Sequence, residues 1–253
     1  MSTEKKGEWD VERMRESLKG IRGIIFDYGG TLDTGGDHWS HLIEEAYSKA
    51  GVAVDHAAFR EAYVYAEREL ARERHILPEH DFRDLLDIKI KIELEWLVRN
   101  GLFAPQEVDG KAKEIAADCY DRARANVADA EPVLWKLSEK YPLVLVSNFY
   151  GNISRVLEDF GIGRYFKAVI ESAVVGIRKP DPRIFLKGVE ALCLRPDEVL
   201  VIGDSYRKDI LPAREVGCRA LWLKGRGWTA DEDAVTDPAV IGSLEDVLGL
   251  LKE

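Results

Sequence analysis

Cysteine is scarce in this chain. Cys119, Cys193 and Cys218 are odd in number, widely separated and outside any CxxC or Cys/His grouping, which argues against a disulfide framework or a zinc site. They read as small buried hydrophobes in a reducing, cytoplasmic setting. Long apolar runs are missing too. No stretch approaches the roughly 18 consecutive apolar residues of a membrane span, and the opening MSTEKKGEWDVERMRESLKG has no run of signal-peptide length. Positive charge is in deficit: 36 Lys plus Arg stand against 46 Asp plus Glu, so the net charge of −10 repels phosphate backbones and anionic lipids. Nucleic acid and membranes are therefore not expected partners. Internal repeats and low-complexity segments are also lacking.

What remains is an ordinary globular composition. The 253 residues, 46% of them hydrophobic, suffice for one large domain or for a core with an insert. Five short apolar runs, at residues 24–26, 143–146, 169–170, 199–202 and 220–223, lack polar alternation, as buried parallel strands do. Helical patterns at 153–160, 182–192 and 210–216 separate the last four, which predicts an α/β doubly wound, Rossmann-like parallel sheet.

The interval from about residue 34 to 131 is too long for one crossover and must hold a second unit. Its rows Trp39, Leu42, Ile43, Ala46, Tyr47; Phe59, Ala62, Tyr63, Ala66, Leu70; and Val108, Ala112, Ile115, Cys119 follow helical spacing. IKIKIELEW at 88–96 alternates like a strand, yet Phe82, Leu86, Ile90, Leu94 and Leu97 form a helical row, and helix is preferred. The expected plan is an N-terminal extension over 1–20 with a short polar helix at 9–18, an α/β core over 21–36 and 129–253, and an all-helical insert over 37–128. Gly35-Gly36 and the stretch 129–132 are its expected hinges, the second because proline stops helices.

In open parallel sheets ligands bind beyond the carboxyl ends of the strands. The residues there are Asp27, Ser147-Asn148 and Gly203-Asp204-Ser205, with Lys179 entering the helix before the fourth strand. Asp27 is an intrinsically ionised carboxylate, a nucleophile or a metal ligand, and Gly29-Gly30-Thr31 lets backbone amides approach an anion. Asp27, Asp204 and Asp209 would bring three like charges to one sheet edge, which calls for a hard cation such as Mg²⁺; a plain helix cap is the alternative for Asp204.

Four segments, FDYGGTLD at 26–33, VSN at 146–148, KPDP at 179–182 and GDSYRKD at 203–209, resemble the motifs of the haloacid dehalogenase superfamily, in that family's order. The resemblance implies a hydrolase of small phosphorylated metabolites with Asp27 as nucleophile and Ser147 and Lys179 on the phosphoryl oxygens. It implies substrate contacts at Gly30 and Asn148, and Mg²⁺ held by Asp27, the carbonyl of Gly29 and Asp204, with Asp209 acting from behind them. The helical insert resembles that family's mobile cap, and a monomer or homodimer is expected. The chain departs from the phosphatase pattern at Gly29, where such relatives carry an acid/base aspartate. That predicts slow turnover of simple phosphomonoesters, since general acid–base help is worth roughly 10²–10⁴ in rate. A non-catalytic binder and a carbon-centred dehalogenase are the alternative readings. Asp33, Asp37 and His38 are weak candidates to replace the missing acid. A basic stretch in the insert, Arg68, Arg72, Arg74, His75, His80 and Arg83, is a further but weaker candidate for anion contact.

Overall fold

The computed structural model describes residues 11–252. Six strands form one parallel sheet: β1 Gly23–Phe26, β2 Leu143–Ser147, β3 Phe166–Glu171, β4 Val199–Gly203, β5 Arg219–Leu223 and β6 Val240–Ile241, in the order β3-β2-β1-β4-β5-β6. β1, β2 and β4 are buried at every position, which is why their sequences run apolar without alternation. β6 is an addition to the expected five. Its two residues are too few to produce a periodic signal, and pairing with Trp222 and Leu223 makes the strand.

The chain moves outward from β1 to β2 and β3, then returns to β4 on the other side of β1. This reversal puts the crevice of the sheet between β1 and β4. Beneath it lies a core that includes Ile25, Val144, Val146, Ile184, Phe185, Val201 and Ile210. Each such side chain contributes about 1.5–3 kcal/mol by leaving water.

The main helices are α1 Trp39–Lys49, α2 His56–Arg72, α3 Phe82–Arg99, α4 Val108–Ser138, α5 Ile153–Asp159 and α6 Arg183–Leu192. The ambiguous stretch is helix: α3 opens on a capping box between Asp81 and Asp84, and buries Phe82, Leu86, Ile90, Leu94 and Leu97 on one face. The polar helix expected over 9–18 runs through residues 11–17, and Trp9 lies outside the described residues. Among the described residues, no helix is long and apolar enough to cross a membrane.

By compactness the chain divides into an α/β unit, through His38, Asn126–Asn148 and from Arg164 onward, and a helical unit, Trp39–Ala125 with Phe149–Gly163. Two expectations about the insert need correction. The stretch 129–132 is no helix stop, because α4 continues through Pro132 to Ser138. A proline removes one helical hydrogen bond, and here the buried Val127, Ala130, Val133 and Leu134 on either side hold the helix together. Residues 149–163, expected in the core, cluster with the helices. Phe160 packs on Phe82 and Tyr120 with ring centroids 5.5 Å apart in each case, and the Asn152 Nδ2 donates to the His80 carbonyl at 2.9 Å. The cysteines also differ from expectation. Cys119 and Cys218 are buried, whereas Cys193 is exposed at the left-handed end of α6.

Candidate active site

Everything in the candidate site belongs to the α/β unit. Register explains the placement of its first residues. Phe26 ends β1 opposite Leu145 and Ile202, so the next residue, Asp27, emerges between the ends of β2 and β4, and its amide still donates to the Ile202 carbonyl at 3.0 Å. Ser147 ends β2 and is buried, and Asp204 follows the last residue of β4.

Lys179 arrives from the loop before α6, just ahead of a cis Lys179–Pro180 bond, and its backbone is held by Asn148. The Asn148 amide donates to the Lys179 carbonyl at 3.1 Å and accepts from the Lys179 amide at 2.9 Å. Asn148, expected as a substrate contact, thus also orients the lysine. Its side-chain oxygen and nitrogen are both engaged by one peptide segment.

Lys179 Nζ lies 2.7 Å from Asp27 Oδ1 and 2.7 Å from Asp209 Oδ1. Oxygens of Asp27, Asp204 and Asp209 all lie within 4.8 Å of one another. Two glycines make this crowding sterically possible. A Cβ on Gly30, whose φ is +96°, would sit 2.3 Å from Asp204 Oδ2, and a Cβ on Gly203 would sit 2.5 Å from the Cβ of Asp209. Gly30 was expected to offer its amide to substrate, but that N–H donates to Asp33 Oδ1 at 2.7 Å, so its contribution is the room it leaves. Asp204 is not the helix cap considered for it, since Ser205 occupies that place and accepts from the Lys208 amide.

One ammonium faces three carboxylates, and the electrostatics follow. Burial works to lower the Lys179 pKa, yet Asp209 and Asp27 outweigh it and hold the ammonium above its usual range. Burial pushes the Asp209 carboxyl up, Lys179 pulls it back, and it comes to about 6. Asp204 is raised well above the carboxylate range, first by desolvation and then by repulsion from Asp209 and Asp27. Were all three carboxylates ionised, one lysine would leave an excess negative charge in a poorly hydrated cluster, and that is why Asp204 and Asp209 are raised. A small divalent cation with a preference for oxygen matches that donor set, and the residues therefore fit Mg²⁺.

Sequence reasoning gave Thr31 only a backbone role and did not single out Trp222. Thr31 is fully buried and its hydroxyl donates to Asp204 Oδ1 at 3.0 Å; the Trp222 indole N–H donates to the Asp204 carbonyl at 2.6 Å. Thr31 was legible as part of its motif, but a tryptophan in an apolar strand carries no signal beyond burial. Asp37, one of the acids considered downstream, is clamped by Arg226, whose Nε and Nη2 lie 2.8 Å and 2.6 Å from Asp37 Oδ2. Asp33 is fully buried around its bond from Gly30. Both are held as structural groups. In the helical unit the basic stretch is charge-compensated at several points: Arg72 and His75 meet Glu69, and Arg83 meets Asp87.

The family model for haloacid dehalogenase-like hydrolases matches residues 21–217. The chain belongs to that hydrolase family. Among curated relatives, a phosphoserine phosphatase of Thermus thermophilus is 34% identical over 129 residues, covering 51% of this chain and 49% of that enzyme. The chain thus spans about half the length of that relative. A phosphoglycolate phosphatase of Pectobacterium atrosepticum is 26% identical over 238 residues, with 92% and 94% covered. Among solved structures, the crystal structure of a dehalogenase superposes with a TM-score of 0.62 at 17% identity, covering 93% of this chain and 99% of that one. That likeness concerns the fold.

Proposed function

We propose that this hydrolase removes a phosphoryl group from a small phosphorylated substrate, with Asp27 as nucleophile and Mg²⁺ as cofactor. The observation that carries this reading is the geometry around Lys179, one ammonium 2.7 Å from two carboxylates with a third beside them. Asp27 and Asp204, with the Gly29 carbonyl, would hold the cation, and Asp209 would support it through Lys179 and the Ser205 amide, which donates to Asp209 Oδ2 at 3.0 Å. When bound, the metal would neutralise phosphoryl charge and lower the barrier to attack by an anionic nucleophile.

The chain's own groups account for the rest. An Asp27 oxygen attacks phosphorus, the leaving group takes the electrons of the broken bond, and an aspartyl phosphate forms. The Ser147 hydroxyl and the Lys179 ammonium hold the non-bridging oxygens. Water then attacks the phosphorus, returning Asp27 and releasing phosphate. The helical unit is proposed to act as the cap that selects the substrate.

Gly29 shapes the kinetics. A Cβ there would meet nothing within 4 Å and the backbone is outside the left-handed region, so the position has room for an aspartate. With glycine, an acyl or aryl phosphate can still lose its leaving group unprotonated, whereas the water that hydrolyses the intermediate lacks a base. Activated substrates should give a burst, and Gly29→Asp should remove it and raise steady-state turnover by about 10²-fold or more.

The test is a screen of phosphorylated metabolites, acyl phosphates and 2-haloacids with and without Mg²⁺, followed by rapid quench and intact-mass measurement. Chelation-sensitive phosphate release with phosphorylated Asp27 supports the proposal. Haloacid turnover that survives chelation would replace it with carbon-centred chemistry, and no turnover of any class would favour a binding role.

A further inference from the structure

The register of β4 and β5 ends at Gly203 and Trp222. The carbonyl of the next residue, the half-buried Asp204, has therefore left the sheet ladder and needs a partner elsewhere. Its bond comes from a side chain: the Trp222 indole N–H donates to it at 2.6 Å. The same peptide unit carries the Ser205 N–H, which donates to Asp209 Oδ2 at 3.0 Å. One planar group is thus pinned at both ends, by Trp222 at its oxygen and by Asp209 at its nitrogen.

The indole is itself held in place. It is buried in β5, with the Tyr206 ring 5.2 Å from its own and Lys224 Nζ 4.7 Å from its centroid. Lys224 in turn donates to the carbonyls of Asp233 and Val235 at 2.8 Å and 2.6 Å. Rotation of the Asp204–Ser205 peptide would break both of its bonds together. It would also swing the Cα–Cβ direction of Asp204 away from Thr31 Oγ1 and change its distance to Asp209.

We infer that Trp222 is a positioning residue for the acidic site, and that its indole N–H sets the orientation of the Asp204–Ser205 peptide and with it the spacing of Asp204 and Asp209. This rests on the reading of the carboxylate cluster as a Mg²⁺ site. Trp222 touches neither substrate nor metal in this role, and acts through the peptide alone.

The test replaces Trp222 in the full chain by 3-benzothienylalanine, which keeps the bicyclic shape and removes the N–H donor, and in parallel makes Trp222→Phe. Mg²⁺ affinity is measured by calorimetry, with thermal melts of the metal-free proteins alongside. The expected result is a three- to tenfold weaker Mg²⁺ Kd for the isostere, with a melting temperature lowered by no more than the few degrees one lost hydrogen bond costs, and a weakening at least as large for Trp222→Phe. If the unaltered protein binds Mg²⁺ and the isostere binds it equally well, the positioning role is overturned while the metal site stands. If the unaltered protein binds no Mg²⁺, the metal-site reading falls and the role of Trp222 falls with it.

Discussion

Two regions of this protein gather more carboxylates than ammonium groups, and they resolve the surplus differently. In the α/β unit Lys179 faces Asp27, Asp204 and Asp209 where loops leave the strand ends. In the helical unit Lys89 is paired with Glu67, its Nζ is 4.2 Å from the Tyr63 centroid, and Glu93 lies one turn away with no exposure. Tyrosines complete the second cluster. Tyr47 donates to Glu93 Oε2 and Tyr150 to Glu67 Oε1, each at 3.0 Å. The first cluster gathers charge on backbone loops with glycines clearing space, a layout suited to an added cation. The second lies on helix faces among aromatic rings, where a proton is the simpler way to remove a charge. Burial pushes the Glu93 carboxyl up to about 7 despite the opposing pull of Lys89 and Tyr47. The lesson is that excess buried negative charge does not by itself mark a metal site; the element that carries it decides.

The largest expected effect separates chemistry from structure. Asp27→Asn should lower turnover of any phosphorylated substrate by at least about a thousandfold, since no other residue supplies the attacking oxygen. Its melting temperature should stay level or rise, because one charge of a repelling set is gone. Equal turnover in the variant would remove Asp27 from the mechanism.

Smaller, and aimed directly at the contrast, are the two lysines. Lys179→Met and Lys89→Met should each destabilise the protein by about 3–5 kcal/mol by leaving carboxylates buried without their partner. Urea unfolding with and without Mg²⁺ distinguishes them. Saturating Mg²⁺ should recover much of the loss in Lys179→Met and none in Lys89→Met. Equal recovery, or none in either, would erase the distinction between the clusters.

The smallest effect concerns pH. A carboxyl whose folded pKa lies above its unfolded value of 4.5 takes up a proton on folding. The contribution of Glu93 is therefore fully present below about pH 4.5 and is lost as pH rises toward 7, at about 1.4 kcal/mol per unit at most. Tyr47, Cys119, Lys89 and Tyr63, which interact with it, are all held above their usual ranges and do not titrate in that window. Stability measured from pH 5 to 8 at saturating Mg²⁺, which takes Asp204 and Asp209 out of the comparison, should fall with this slope. Glu93→Gln should flatten it, and an unchanged slope would assign the proton elsewhere.

Much of this was legible in the sequence. Apolar runs of two to four residues marked five of the six strands because both faces of a parallel sheet are covered. Asp27, Ser147, Lys179 and Asp204 stood out because they directly follow such runs or sit in motifs of fixed order. The helical row through α3 was readable for the same reason of period. Other features depend on partners remote in sequence. Lys89 and Glu93 carry no local signal of burial, and only the packing of α1, α2 and α4 residues around α3 buries them. Asn148 and Gly30 have the chemistry of ligand contacts, and only the fold shows that Asn148 also braces the Lys179 backbone and that Gly30 leaves room for the Asp204 carboxylate. Pro132 carries a local signal for stopping a helix, which packing on both sides overrode. Trp222 contributes through one N–H aimed at a carbonyl 18 residues earlier. Periodicity and strand-end chemistry are properties of neighbouring residues and can be read along the chain. Which charge is buried, and which donor completes a broken ladder, are set by distances that exist only once the sheet and the helices have formed.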